Sequence, residues 1–195
     1  MQGTNKNPKL RFKNMSASWE EKRIGDVITE EKRLVYLHDD QEYQLVTVKR
    51  RNEGIVPRSN LLGKQILVKN YMQIKEGDYL ISKRQIIHGA NGVVPKNLDN
   101  AIVSNEYLVA TSNDDISMDF LALLSRTPDM YRKFLLSSYG VDVEKMVFNV
   151  EDWKNRSINL PQISEQKIIS DFFNYLDNLL KLNEKKYQKT FQLRS

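Results

Sequence analysis

The chain contains no cysteine and only two histidines, His38 and His88. Without thiolates there is no disulfide framework and no thiolate metal site, and two imidazoles are too few for a histidine-based zinc cluster. No apolar run approaches the roughly 20 residues of a membrane span. Residues 1–14 are rich in Lys and Asn and lack the apolar core of a signal peptide, so a cytoplasmic protein with no membrane association is expected. There is no Gly-rich phosphate loop and no dinucleotide fingerprint. The Asp/Asn-Pro-Pro-aromatic tetrapeptide and the cofactor glycine loop of methyl transfer are missing too. No catalytic residue, cofactor or metal is therefore expected.

What the chain does carry is an uneven charge. The 195 residues, 40% hydrophobic, suit one ordinary domain with an appendage, at a net charge of +5. Residues 44–98 hold ten Lys/Arg against three Asp/Glu, whereas residues 111–163 hold six against eight. A basic segment of that strength inside a globular region points to a polyanion, most often nucleic acid. A plain solvated face is the competing reading.

Residues 43–49, Tyr79–Lys83, Ala101–Val103 and Tyr107–Thr111 are dense in strand formers. A Glu76-Gly77-Asp78 turn leads into the second of these. The character then changes. Ser117 can cap a short helix through Phe120, Leu121 and Leu124, and Thr127-Pro128 is a cap followed by proline at the first helical position. Gly140 is the expected left-handed stop of that second helix.

Pro161 closes the preceding segment, and Ser164 is the expected N-cap of a long terminal helix, with Ile163 and Ile168 as its hydrophobic staple. Apolar residues recur at Ile169, Phe172, Leu176 and Leu179, three and four apart, and the next seam position is the polar Asn183. The spacing then shifts to fours through Tyr187 and Phe191, so the stripe drifts around the helix. Such a helix, about 45 Å long, exceeds what one small domain can cover.

The candidate polyanion contacts are strand-end and loop residues. Lys49, Arg50 and Arg51 follow the first strand, and Lys83, Arg84 and Gln85 follow the second. His88 and Asn91 lie in the loop Ile86 to Gly92, and Asn105 in the turn before Tyr107. Arg and Lys suit guanine edges and phosphates, and Asn and Gln suit adenine. One decoy is present: Pro128-Asp129 with Asp152-Trp153-Lys154 imitates the carboxylate–carboxylate–lysine set of metal-dependent nucleases. Its first member opens a helix, where an acidic first turn has an ordinary structural role.

Three stretches resemble the specificity subunit of type I restriction–modification systems. They are Trp19 to Val27; Gly77 to Arg84 with Gly89 and Ile102 to Tyr107; and Ile158-Asn159-Leu160-Pro161-Gln162-Ile163-Ser164-Glu165-Gln166-Lys167-Ile168-Ile169 with Phe172-Phe173 and Leu176-Asp177. The resemblance implies a non-catalytic subunit. In that family two recognition domains, each followed by a long helix, read two halves of an interrupted DNA site. The paired helices form a spacer and dock methyltransferase subunits, which recruit the translocating endonuclease.

The expected fold is accordingly α+β: a target-recognition domain with a mixed or antiparallel sheet and short helices, then one long coiled-coil-forming helix. The expected division is a flexible basic arm over residues 1–15, the DNA target-recognition domain over 16–161 and the spacer helix over 162–195. The expected partners are double-stranded DNA, the methyltransferase subunit, the endonuclease through the complex, and a second copy of the chain. Ile169, Phe172, Leu176, Leu179, Asn183 and Tyr187 would pair the helices. The sequence departs from the family pattern in holding one domain and one helix, which fits either a half-subunit that pairs with itself or a truncation. The rival reading is a helix-mediated assembly protein without useful DNA binding.

Overall fold

Three buried apolar clusters separated by two sheets set the architecture. The structure, a computed structural model, describes residues 8, 10–68 and 70–192, with 189–192 as backbone only. Most of the expected arm and the side chain of Phe191 lie outside the described residues.

Strand β1 (Glu20–Arg23) runs without a break into the single turn α1 (Ile24–Val27) and then β2 (Ile28–Glu30). Next come β3 (Leu34–Val35), β4 (Glu42–Val48), β5 (Ile55–Leu62), β6 (Tyr71–Gln73) and β7 (Tyr79–Ser82). Strands β8 (Asn91–Val93), β9 (Ile102–Ser104) and β10 (Tyr107–Ser112) complete the two sheets. A helical part follows: α2 (Met118–Leu124), α3 (Pro128–Leu136), the hairpin β11 (Ser138–Tyr139) and β12 (Val147–Phe148), and α4 (Val150–Lys154). Strand β13 (Ser157–Leu160) leads into α5 (Ile163–Gln192).

One sheet has the order β3-β6-β9-β4-β5, with a parallel pair only at β4–β9, and the other is the antiparallel β2-β10-β7-β8. This is the α+β fold expected from the sequence. The period-two rule explains why β7 is buried along its whole length. Tyr79 and Ile81 face the helical core, where Phe134 stacks on Trp153 at 5.6 Å, while Leu80 faces the core between the sheets with Val46, Val103 and Val109. Strand β5 was not evident from sequence because Pro57 interrupts its strand formers. It forms the edge of its sheet, where a missing amide is tolerated, and the pairing is irregular between Leu45 and Val46.

Both short-helix caps are in place: Ser117 Oγ accepts from the Phe120 amide at 3.0 Å, and Thr127 Oγ1 from that of Met130 at 3.3 Å. Two local expectations are corrected. Helix α3 ends at Leu136, because Ser138 donates to the Phe134 carbonyl at 2.8 Å and strand pairing with Phe148 takes over. Gly140 is no helix stop. It closes the neck of the 140–146 loop, where a Cβ would meet Lys145 O and Met146 Cα, each at 2.8 Å. Helix α5 begins at Ile163, so Ser164 lies inside its first turn, and the Gln162 carbonyl accepts the amides of Glu165 and Gln166. The buried Gln166 sets that start. Its side chain donates to Pro161 O at 3.0 Å and Asp115 O at 2.9 Å, and accepts from Ser117 N at 2.9 Å.

Strand β1 pairs with β13, placing the chain's opening segment beside the start of α5. Arg11 and Phe12, within the stretch expected to be a free arm, are tied there. Arg11 makes a two-point contact with the buried Glu165, and Phe12 meets Phe172 edge-on at 5.5 Å.

Candidate nucleic-acid interface

The turn between β4 and β5 carries the first group of candidate cations. Arg51 and Asn52 adopt left-handed backbone, with φ of 60° and 56°, and Gly54 follows at 84°. Asparagine and glycine tolerate that region and a long side chain does not favour it, so tertiary contacts must hold the turn. They do: the Arg51 amide donates to His88 O at 2.7 Å and the Asn52 amide to Gly89 O at 2.8 Å. Gly89, itself left-handed, leaves the room, since a Cβ there would meet Asn52 Nδ2 at 3.0 Å.

Beneath the turn runs a buried polar chain. Asn91 Nδ2 donates to Asn52 Oδ1 at 2.9 Å, the Tyr79 hydroxyl donates to Asn91 Oδ1 at 3.1 Å, and Tyr79 OH lies 2.6 Å from Ser125 Oγ. With the Tyr79 proton on Asn91, the Ser125 hydroxyl is the donor of that short bond, and Leu121 O, at 2.8 Å, is the other acceptor within its reach. Burial pushes the Tyr79 phenol well above its ordinary range, so it stays a neutral donor. The chain links the turn to the α2–α3 junction.

The structure brings most of the candidates to one rim. Arg50 Nε donates to Gln85 Oε1 at 2.7 Å, joining the turn to the Lys83-Arg84-Gln85 segment after β7. Lys83 Nζ donates to the Asn105 carbonyl at 2.8 Å and Arg84 Nε to Glu106 at 2.9 Å, which adds the β9–β10 turn. Two more of these cations are paired, Lys49 with Glu53 at 3.2 Å and Arg50 with Glu144 at 3.1 Å, and His88 Nε2 lies 3.2 Å from the same Glu144. Arg51 has no carboxylate partner among the described residues.

Asn91 is corrected. It is buried with both ends of its amide engaged, so it braces the turn and does not offer itself to a base. Residues the sequence did not single out join the rim: Asn52, Arg126, Thr127 and Tyr131 share a cleft of about 580 Å³ with Arg50, Arg51 and His88. Arg126 and Tyr131 stand in a segment of net negative charge, which hid them from a count along the chain.

Helix α5 is half docked. Glu165, Gln166 and Ser170 are buried, and the half-buried Ile169 packs on the helical core of its own domain. Arg126 donates to Asp177 at 2.6 Å near the end of the docked part. Phe172 is exposed despite its contact with Phe12, and Leu176 is half-buried. From 178 to 188 every residue is exposed, among them Leu179, Leu180, Leu182, Asn183 and Tyr187.

The nuclease-like residues are engaged locally. Asp129 pairs with Lys133, and Lys154 with Glu151 at 2.9 Å. Asp152 accepts from Arg156 at 2.7 Å, and the Ser137 hydroxyl and Arg156 hold its carboxyl below the usual range. Among the described residues no helix is long and apolar enough to cross a membrane.

Comparison with known proteins places these features. The family model described as type I restriction modification DNA specificity domain matches residues 17–190. The specificity subunit of the type I restriction enzyme HindI from Haemophilus influenzae is 30% identical over 113 residues, covering 56% of this chain and 24% of that protein. The HsdS subunit from Thermoanaerobacter tengcongensis has a similar fold, with a TM-score of 0.68 at 20% identity over 86% of this chain and 44% of the other. The S subunit of the type I system of M. genitalium gives 0.59 at 12% identity over 89% and 42%. The chain thus spans a quarter of the curated relative and under half of each solved chain.

Proposed function

The chain belongs to the type I restriction–modification DNA specificity family, and from that premise we propose that it reads one half of a bipartite DNA site for a methyltransferase. It is a specificity component and not an enzyme in its own right. The observation that carries the DNA reading is the rim itself. The 49–54 turn and the 83–88 segment come from separate parts of the chain and present their cations together, braced by the 105–106 turn, whose Asn105 carbonyl and Glu106 carboxylate hold Lys83 and Arg84. A polyanion gains from such convergence, because each neutralised phosphate releases condensed counterions.

The projecting half of α5 pairs with a second copy of the chain, and the paired helices dock the methyltransferase subunit, through which the endonuclease is recruited. Charge supports an antiparallel arrangement. Residues 164–178 hold three acidic side chains and one basic, of which Asp171 and Asp177 lie outside the buried Arg11–Glu165 pair, whereas residues 179–188 hold three basic and one acidic. Antiparallel pairing lays the basic half of one helix along the acidic half of the other.

Fluorescence anisotropy with duplex DNA at stepped salt tests the first part, and mapping of methylated sites in cells with and without the gene identifies the target. Tight binding with a steep salt slope is expected. Binding that is absent at low salt overturns the DNA reading and leaves assembly through the helix.

A further inference from the structure

Two candidate DNA contacts from different elements face the two oxygens of one carboxylate. Arg50 Nη2 lies 3.1 Å from Glu144 Oε2, and His88 Nε2 lies 3.2 Å from Glu144 Oε1. Arg50 is aimed by a second bond, from its Nε to Gln85 Oε1 at 2.7 Å, and the His88 backbone is fixed through its carbonyl by the Arg51 amide. A guanidinium and an imidazole on opposite oxygens of an anion make the arrangement that also recognises the two non-bridging oxygens of a phosphodiester.

The carboxylate is held less firmly than the site around it. Glu144 sits in a 3-10 turn with no buried residue, at the tip of the 140–146 loop, beside Val141 at 96% exposure. The loop is closed at its neck by the β11–β12 pairing, so its tip can move without disturbing the core. The His88 Nε2 atom is buried from solvent, and its approach to Glu144 does not form a hydrogen bond, leaving it without a hydrogen-bond partner among the described residues. The site's arginine is well served by Glu144 and its imidazole poorly.

We propose that Arg50 and His88 form one phosphate-binding site on the DNA-reading rim, and that Glu144 fills it until a DNA phosphate displaces it. This rests on the reading of the rim as a DNA surface. The displaced carboxylate then lies near the phosphate and disfavours any backbone that does not engage both donors, so Glu144 weakens non-specific binding. The effect differs in sign from that of a structural brace. A carboxylate that merely positions Arg50 would weaken DNA binding when lost, whereas a carboxylate that competes with phosphate strengthens it.

The experiment measures duplex binding by the full chain as parent, Glu144→Gln, Arg50→Ala, Arg50→Ala/Glu144→Gln and Asp142→Asn, with melting temperatures alongside. Asp142 lies on the same loop and pairs with Lys145 at 3.4 Å, so it controls for the change in net charge. Glu144→Gln is expected to tighten binding about 3- to 10-fold on non-target duplex, against about 2-fold or less for Asp142→Asn, as local competition exceeds screened long-range charge. In the Arg50→Ala background the gain should largely vanish. An unchanged or weaker Glu144→Gln, an equal gain from Asp142→Asn, or a full gain without Arg50 overturns the proposal while parent binding upholds the DNA reading. If neither parent nor Glu144→Gln binds DNA, both fall. Binding gained only in Glu144→Gln supports the competition directly.

Discussion

Arg11 and Glu165, 154 residues apart, form a two-point ion pair: Nε donates to Oε1 at 2.9 Å and Nη2 to Oε2 at 2.5 Å. The pair fastens the segment before β1 to the first turn of α5, and Phe12 against Phe172 extends the clasp by almost two helical turns. The Glu165 carboxylate is buried, and the guanidinium opposite is the partner that compensates its burial.

Arg11→Met is therefore expected to destabilise the fold, because it strands a buried carboxylate. Arg11→Met/Glu165→Leu should recover much of the loss, since replacing both charges with apolar groups of similar volume removes the uncompensated ion. Thermal unfolding of the parent and the two variants checks this. A double variant no more stable than the single would show that the pair does not act as a unit.

Asn91 is expected to act on the 49–54 turn from below. Asn91→Leu removes the donor to Asn52 and one acceptor of Tyr79, costing about 1–3 kcal/mol for the unsatisfied groups. The left-handed Arg51 and Asn52 then lose part of what holds them, and their amides should exchange faster with solvent while those of β7 stay protected. Hydrogen exchange read residue by residue decides it. Unchanged protection at Arg51 and Asn52 would leave the brace without a role.

Arg51 is expected to contribute most plainly to DNA affinity, because no carboxylate must be given up when it meets a phosphate. Arg51→Ala should weaken binding to all duplexes and lower the salt slope by about one unit if it contacts a single phosphate. Lys49→Ala, which also frees Glu53, combines two opposing changes. Loss at one sequence only, about 1–3 kcal/mol, would instead mark Arg51 as a base reader.

Much of this arrangement was legible wherever the determining chemistry is local. Strands β4, β7 and β10 announce themselves through Val, Ile, Leu and Tyr, and the caps Ser117 and Thr127 through hydroxyls placed three residues before an amide they serve. Gly77 reads correctly as a turn, with φ of 85°. What was hidden is tertiary. Helix α4, at five residues, is too short to show a period, and forms around the burial of Trp153. Asn91 beside Gly92 reads as an exposed loop, and only the fold reveals Asn52 and Tyr79 at its two ends. The rim likewise read as free cations, because Glu144 lies 94 residues from Arg50. The long helix reads as too long for one domain to cover, but which turns dock is not legible: Gln166, Ile169 and Ser170 seat its first turns through partners distant in sequence.

That half-docked helix frames the remaining expectation, that the chain self-associates through residues beyond Asp177. Residues 178–188 are all exposed and extend about 15 Å past that ion pair at the helical rise. Leu179, Leu180, Leu182 and Tyr187 together leave an apolar surface that water disfavours, and a second copy supplies a matching one. Two-fold pairing closes the assembly and, in the antiparallel sense, sets the two recognition rims at opposite ends to read an inverted repeat with a gap. Asn183 at a seam position would favour one register at some cost in stability. Salt distinguishes the two senses. Antiparallel pairing opposes Lys181, Lys185 and Lys186 to Asp171 and Asp177, so screening weakens it, whereas parallel pairing sets lysines against lysines and is strengthened by screening. The test is the solution mass at tens of micromolar, at low and high salt, for the parent and for Leu179→Glu/Tyr187→Glu, whose sites lie outside the docked turns and leave the domain folded. A dimer that loosens with salt and is lost in the variant is expected. A parent monomeric under all conditions refutes the pairing, and a dimer tightened by salt refutes its antiparallel sense.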